Sequence, residues 1–249
     1  MKVVNPFSLN GKTILVTGAS SGIGRSVAVA CSQMGANVII NGRNTDRLNE
    51  TLSMMIGNGN IALSGDLTKE DSIKSIVESI PKLDGVVHCA GIGHAKLCKQ
   101  IDKSDIDMVM GINFSAPVLL QSQLLSKKKI NKCASIVFIS SLGAKAPNIG
   151  NAVYCASKGA LLSYANCLKL ELAPRQIRVN CILPAMVRTE LVYHGGITEE
   201  ELIKDEQNYL FKRYGKPEDI ANLAVYLLSD ASNWMTGGQI EISGGSPKY

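Results

Sequence analysis

Hydrophobic residues fall in short continuous runs that alternate, from end to end of the chain, with longer stretches of helical period. The runs cover residues 13–17, 37–41, 60–64, 85–88, 135–140, 178–182 and 239–242. Between them, apolar residues recur at helical spacing near 22–34, 45–56, 69–80, 104–127, 152–173 and 217–229. A strand wetted on one face alternates apolar with polar residues, so a run apolar throughout marks a strand covered on both faces. Such strands interleaved with helices predict repeated β-α-β units. The pattern therefore predicts one α/β domain over residues 1–249, a doubly wound parallel sheet of seven strands with helices on both faces. The exception is residues 184–216, two helical pieces with no strand between them. An insertion beyond the carboxyl end of a strand shapes a binding site, and this one reads as a substrate flap.

Composition narrows the class. With 249 residues, 45% hydrophobic and only 19% charged, the chain can bury a large core without disulfides or metal. The net charge of +5 is scattered, and the one basic run is Lys127-Lys128-Lys129. That argues against nucleic acid as a partner. The start of the chain lacks the apolar core of a secretion signal, and no apolar stretch approaches the ~18 residues of a membrane span. Seven cysteines, an odd number with no Cys-x-x-Cys pair, read as reduced thiols in a cytoplasmic protein, most of them packed as small apolar residues. Three histidines without ligand spacing predict no metal site.

The first strand runs straight into Thr17-Gly18-Ala19-Ser20-Ser21-Gly22-Ile23-Gly24, and a helical pattern follows. Glycines there permit a tight turn and close backbone approach, so amides at the helix start can meet a pyrophosphate. Gly18, Ser20, Ser21, Gly22, Ile23 and Gly24 are the candidate contacts. A second glycine string, Gly57-Asn58-Gly59, precedes a strand instead of following one and reads as a loop. The second strand ends Asn41-Gly42-Arg43, with no acid to hold a ribose 2′-hydroxyl. A guanidinium there welcomes a 2′-phosphate, so the cofactor expected is NADP(H) in preference to NAD(H).

Tyr154 and Lys158 stand four residues apart on one predicted helix and therefore share a face. A fixed cation beside a phenol favours phenolate and lowers its pKa. Alone, the pair also fits an exposed tyrosine beside a solvated lysine. Ser141 follows the fifth strand at the sheet's carboxyl edge, where it can donate to a substrate carbonyl. Asn113 interrupts an apolar helix and must anchor a water or a backbone group.

Taken together, these motifs resemble the short-chain dehydrogenase/reductase family, in its small single-domain branch, over roughly residues 8–245. The resemblance rests on the glycine turn, Asp66-Leu67, Ala90-Gly91, Asn113, Ser141, Tyr154-x3-Lys158, Pro184-x4-Thr189, Arg213-x-Gly215-x-Pro217 and Trp234-Met235-Thr236-Gly237. It implies Tyr154 as general acid and Ser141 as the group polarising the carbonyl. Lys158 would depress the Tyr154 pKa and hold the nicotinamide ribose, and Asn113 would seat a water joining Lys158 to solvent. Asp66 would contact the adenine, Val187 and Thr189 the nicotinamide amide, and Leu67, Ala90, Gly91 and Pro184 would line the cofactor's path. The family's spacing selects Ser141 over Ser140.

Two departures stand out. The family's Asn-Asn-Ala-Gly is His88-Cys89-Ala90-Gly91, and its Pro-Gly is Pro184-Ala185. His88 and Cys89 read as packed strand-end residues, so that turn must satisfy its backbone in another way. Within the flap, Tyr193, Leu210 and Phe211 are expected to wall an apolar pocket, and the acids from Glu199 to Glu206 to face water.

The function implied is NADPH-dependent reduction of a ketone, with a 3-oxoacyl thioester as first substrate. An acyl carrier protein would dock on Lys127, Lys128, Lys129, Lys132 and Arg175. A sugar, polyol or hydroxysteroid dehydrogenase is the second reading, and a non-catalytic nucleotide-binding regulator the third. The resemblance also implies a homotetramer paired through helices near 104–127 and 152–173. Replacing Arg43→Asp is expected to move cofactor preference toward NAD(H). Unchanged NADPH selectivity in initial-rate measurements with both nucleotides would rule the assignment out.

Overall fold

The computed structural model describes residues 5–193 and 198–246. Seven strands form one parallel sheet: β1 (Thr13–Thr17), β2 (Asn37–Gly42), β3 (Ile61–Ser64), β4 (Leu83–His88), β5 (Ile130–Ile139), β6 (Arg178–Pro184) and β7 (Gln239–Ile242). Their order is β3-β2-β1-β4-β5-β6-β7, every pair parallel. The chain steps outward from β1 to β3, then returns to β4 on the other side of β1. The helices after β1 and β4 consequently leave on opposite faces, and a crevice opens between the two strand ends.

Two apolar layers cover the sheet, and strand alternation sorts residues between them. Ile14 and Val16 of β1 face α1 (Gly22–Gln33) and α9 (Pro217–Leu228). Leu15 faces α3 (Glu70–Ser79), α5 (Ala116–Ser126) and α6 (Ala152–Leu172). The predicted strands and helices all occur. Some bounds differ: β5 begins at Ile130, five residues early, through an irregular stretch where Cys133 takes φ 60°. Only Cys31 and Cys181 are buried, Cys89 and Cys155 are intermediate, and Cys98, Cys133 and Cys167 are exposed. The expectation that most cysteines are core residues is therefore corrected.

The helix predicted over 104–127 is interrupted. α4 (Lys103–Met110) passes through a π turn at Gly111–Ser115 before α5 begins. Pro117 has no N–H to give the carbonyl of Asn113, four residues back, so the regular ladder cannot close there. Against the sequence expectation, the joined stretch Lys103–Ser126 is long and apolar enough by length and composition to cross a membrane, with mean hydropathy 1.2. In this fold it lies along the sheet and carries the buried polar side chains Asn113 and Gln121.

His88 takes the place its sequence neighbourhood predicts. Its ring stacks on Phe138 at 4.7 Å, and Nε2 lies 3.0 Å from Gln121 Oε1. Burial pushes the ring's pKa down to about 4. The unfolded chain takes up this proton near pH 6.5, whereas the folded one does so only near pH 4. The contribution of His88 to stability is thus present above pH 6.5 and falls by about 3 kcal/mol as pH drops through that window. Replacing His88→Leu should flatten this part of the urea-unfolding free energy against pH.

Candidate active site

The crevice between β1 and β4 depends on one backbone approach. Gly18 turns at φ +65°, and a Cβ on it would lie 2.7 Å from Ala90 Cα. Gly24 is as crowded, with a Cβ falling 2.3 Å from the Gly18 carbonyl oxygen. Thr17 Oγ1 accepts from the N–H of Cys89 at 3.1 Å and of Ala90 at 3.2 Å. This hydroxyl satisfies the turn from which the family's two asparagines are missing. His88 is packed as expected, whereas Cys89 lines the cleft.

The cleft encloses about 940 Å³. Gly18, Ser20, Ser21, Gly22, Ile23, Gly24, Arg43, Asp66, Leu67, Ala90, Gly91, Ser141, Tyr154, Lys158, Pro184, Val187 and Thr189 all line it. Asn113 lies behind this surface, fully buried. α1 begins with no side-chain cap and no acid in its first turn, which leaves its leading amides facing the crevice. Arg25 braces the turn, donating to the Ser20 carbonyl at 2.6 Å and to Thr51 Oγ1 at 3.0 Å. At the far end Arg43 is exposed on the cleft wall. A hydrogen bond from the Thr68 N–H, with the Thr68 hydroxyl and the charges of Arg43 and Lys69, holds the Asp66 carboxyl below its usual range.

On the opposite side, Lys158 is buried and donates to the Ile139 carbonyl at 3.0 Å, with Nζ 5.9 Å from the Tyr154 ring centre. Burial lowers its pKa to about 8. Burial raises the Tyr154 phenol above its ordinary value and outweighs the opposing pull of the neighbouring Ser141 hydroxyl. The expected depression by Lys158 is therefore reversed: desolvation is the larger effect here. Ser140 points away, its hydroxyl donating to the Lys158 carbonyl at 2.9 Å. Asn113 holds the backbone of Ile92 at both ends, accepting its N–H at 2.8 Å and donating to its carbonyl at 3.0 Å. Its amide also donates to Ser157 Oγ at 3.1 Å. A Cβ on Gly91 would stand 3.2 Å from both Asn113 Oδ1 and Lys158 Nζ, so glycine keeps the space between them open.

Residues 18–246 match the family model described as Enoyl-(Acyl carrier protein) reductase. The chain belongs to the short-chain dehydrogenase/reductase family. It is 34% identical over 237 residues to a 3-oxoacyl-[acyl-carrier-protein] reductase of Rickettsia felis, covering 95% of this chain and 97% of the relative. Among solved structures, a 3-ketoacyl-(acyl-carrier-protein) reductase from Brucella melitensis complexed with NADH superposes with TM-score 0.85 at 29% identity, covering 96% of this chain and 100% of that one. A putative NAD(P) dependent gluconate 5-dehydrogenase from Beutenbergia cavernae, with bound NADP, gives TM-score 0.87 at 28% identity, covering 97% and 98%. The protein is thus an NAD(P)-dependent oxidoreductase of carbonyl and alcohol groups.

The flap of this dehydrogenase/reductase differs from expectation. α7 (Glu190–Tyr193) and α8 (Glu199–Glu206) form it, and residues 194–197 lie outside the described residues. Leu210 and Phe211 are 78% and 71% exposed and do not line the cleft; nor does Tyr193, whose hydroxyl donates to Glu199. The apolar wall is instead Met186, Leu191 and Val192. Nor do all the acids face water. Arg188 pairs with Glu199 at 2.6 Å and Glu206 at 2.9 Å, and Tyr214 donates to Asp205 at 2.6 Å. The methyl of Ala185 packs into the small core of Leu202, Tyr209 and Tyr214 beneath the flap. Thr17, Arg25, Tyr209, Ser246 and Arg47 were not legible as site residues. Arg47 alone had a signal, since it follows Arg43 by four residues, in the first turn of α2 (Thr45–Ser53); it pairs with Glu190 across the cleft.

Proposed function

We propose that the protein reduces a ketone to a secondary alcohol with NADPH, and that the ketone is a 3-oxoacyl thioester. The observation that carries this is the convergence of Ser141, Tyr154 and the buried Lys158 on one wall of the cleft. The glycine turn fits a dinucleotide, because Gly18 and Gly24 have no room for a Cβ and α1 is uncapped. The bound cofactor supplies hydride. Ser141 orients and polarises the carbonyl. Tyr154, kept protonated at neutral pH by burial, gives its proton to the carbonyl oxygen. Lys158 holds the ribose hydroxyls and restores the proton. Asn113 fixes the loop at Ile92 and lines the space in which a water joins Lys158 to solvent. Arg43, on the cleft wall near Asp66, takes the 2′-phosphate, and Asp66 with Leu67 takes the adenine. Ala90, Gly91, Pro184, Val187 and Thr189 complete the cofactor's path.

The substrate end supports an acyl chain. Leu142, Ala146, Ile149, Met186, Leu191 and Val192 line it, and an apolar wall rewards methylenes more than hydroxyls. The likeness to a gluconate 5-dehydrogenase keeps a polyol or sugar as the second reading. A regulatory nucleotide-binding role is disfavoured by the complete Asn113, Ser141, Tyr154 and Lys158 set. A cytoplasmic location belongs to the same proposal, on the odd number of cysteines.

The basic patch needs a second subunit. Lys129 and Arg175 sit at the amino ends of β5 and β6, donating to the carbonyls of Ile80 and Ile130, on the opposite edge from the cleft. Along α6, whose 21 residues span about 30 Å, Tyr154 lies near the start and Arg175 just past the end. A carrier docked there serves the site of a second copy whose α6 runs antiparallel. The homotetramer belongs to this proposal, and Ile106, Met108, Leu119 and Leu170, exposed on α4, α5 and α6, support it.

Nucleotide oxidation with a panel of 3-oxoacyl thioesters, hydroxysteroid ketones and keto-sugars is expected to favour the thioesters with NADPH. Tyr154→Phe should lower kcat at least a hundredfold while NADPH still binds. Tight NADPH binding without turnover of any ketone would revive the regulatory reading. Charge reversal at Lys129 and Arg175 should raise KM for carrier-bound substrate alone; equal turnover would remove the docking surface.

A further inference from the structure

One cluster of titratable groups on the cleft wall takes no part in the roles above. His94 lines the cleft, and its Nε2 lies 2.7 Å from Asp105 Oδ1. The other oxygen of Asp105 accepts from Lys96 Nζ at 2.5 Å and from the Asp102 N–H at 2.9 Å. Asp105 is nearly buried and belongs to the capping box that starts α4. The Lys96 N–H donates to the Gly150 carbonyl at 2.7 Å. The loop after β4 is thus tied both to α4 and to the opposite loop of the cleft.

Lys96 and the Asp102 amide satisfy the charge and one oxygen of Asp105, and His94 supplies the hydrogen to the other. The pairing does fix the ring's chemistry. A carboxylate only accepts, so the nitrogen facing it carries the hydrogen, and in neutral imidazole Nδ1 is left as an acceptor. No described residue is bonded to Nδ1. The place also fits a ligand. Gly91 abuts Lys158 Nζ, and His94 follows three residues later, within about 11 Å of chain. Leu191 of the flap closes the same wall, 3.5 Å from where a Cβ on Gly93 would be.

We propose that His94 is a substrate-binding residue whose Nδ1 accepts a hydrogen bond from an amide N–H on the substrate, roughly 8 Å from the reacting carbonyl. The first amide of a cysteamine thioester, about six bonds from a 3-oxo group, has that reach. This rests on the carbonyl-reduction reading and adds to it the arm that carries the acyl group.

The test compares two soluble esters, the 3-oxobutanoyl thioester of N-acetylcysteamine and S-pentyl 3-oxobutanethioate, which matches its length but has no N–H. The wild-type protein should favour the amide ester in kcat/KM by about tenfold, the loss expected from leaving one acceptor unpaired. His94→Phe should bring that ratio to about one, chiefly by raising KM for the amide ester. Its kcat/KM for the pentyl ester should stay within about twofold, which also shows the variant folded. An unchanged ratio, an equal loss on both esters, or no wild-type preference overturns the assignment to His94 and leaves carbonyl reduction standing. Turnover of neither ester by the wild-type protein overturns both.

Discussion

The contact between Gly18 and Ala90 governs the geometry of everything above it. Two parallel strands, β1 and β4, send their following segments to opposite faces of the sheet, and the gap between them is the crevice. The width of that gap is set by how closely the two turns approach. At Gly18 a single added carbon would meet backbone at 2.7 Å, and backbone cannot swing aside as a flexible side chain can. Thr17 fastens the approach by accepting two amides of the β4 turn. With these turns fixed, α1 presents its first amides and the loop from Gly91 to Gln100 is launched across the top of the cleft.

A second set of constraints holds the Tyr154 side. Lys158 is a buried ammonium with one acceptor among the described residues, the Ile139 carbonyl, at the end of β5. Burial alone disfavours its charge, and the same low-polarity surroundings keep Tyr154 protonated. The two groups are therefore tuned by exclusion of water more than by each other. The π turn at Asn113 serves the same end. Pro117 keeps the regular ladder from closing there, and the widened turn carries the Asn113 amide that clamps Ile92 and Ser157 together.

The loops over the cleft are ordered by charge. Asp105 gathers Lys96 and His94 on one wall, while Arg188 gathers Glu199 and Glu206 from the flap helix α8 and lies 5.5 Å from the Tyr214 ring centre. Asp105 and Glu206 are little exposed and need a cationic partner, which Lys96 and Arg188 supply, since an unpaired carboxylate there would carry its desolvation penalty. They hold segments that lack sheet or helix hydrogen bonds of their own. Because each network draws residues from one loop and one helix, selectivity can vary there without disturbing the sheet.

Much of this was written in the order of the residues. Continuous apolar runs separated by helical spacing determined the parallel sheet, because only strands covered on both faces are apolar throughout. The glycine turn, Arg43, Asn113, Ser141, Tyr154 and Lys158 were recognisable because each lies at a strand end or helix face whose position local spacing dictates. What spacing could not reach was any property set by residues distant in the chain. The direction of the Tyr154 shift, the exposure of Leu210 and Phe211, the inward turn of Glu206, and the position of Arg175 on the far edge of the sheet were decided by packing. Burial and pairing depend on what lies alongside in space, and Asp105 meets His94, like Arg188 meeting Glu206, only once the chain has folded back upon itself.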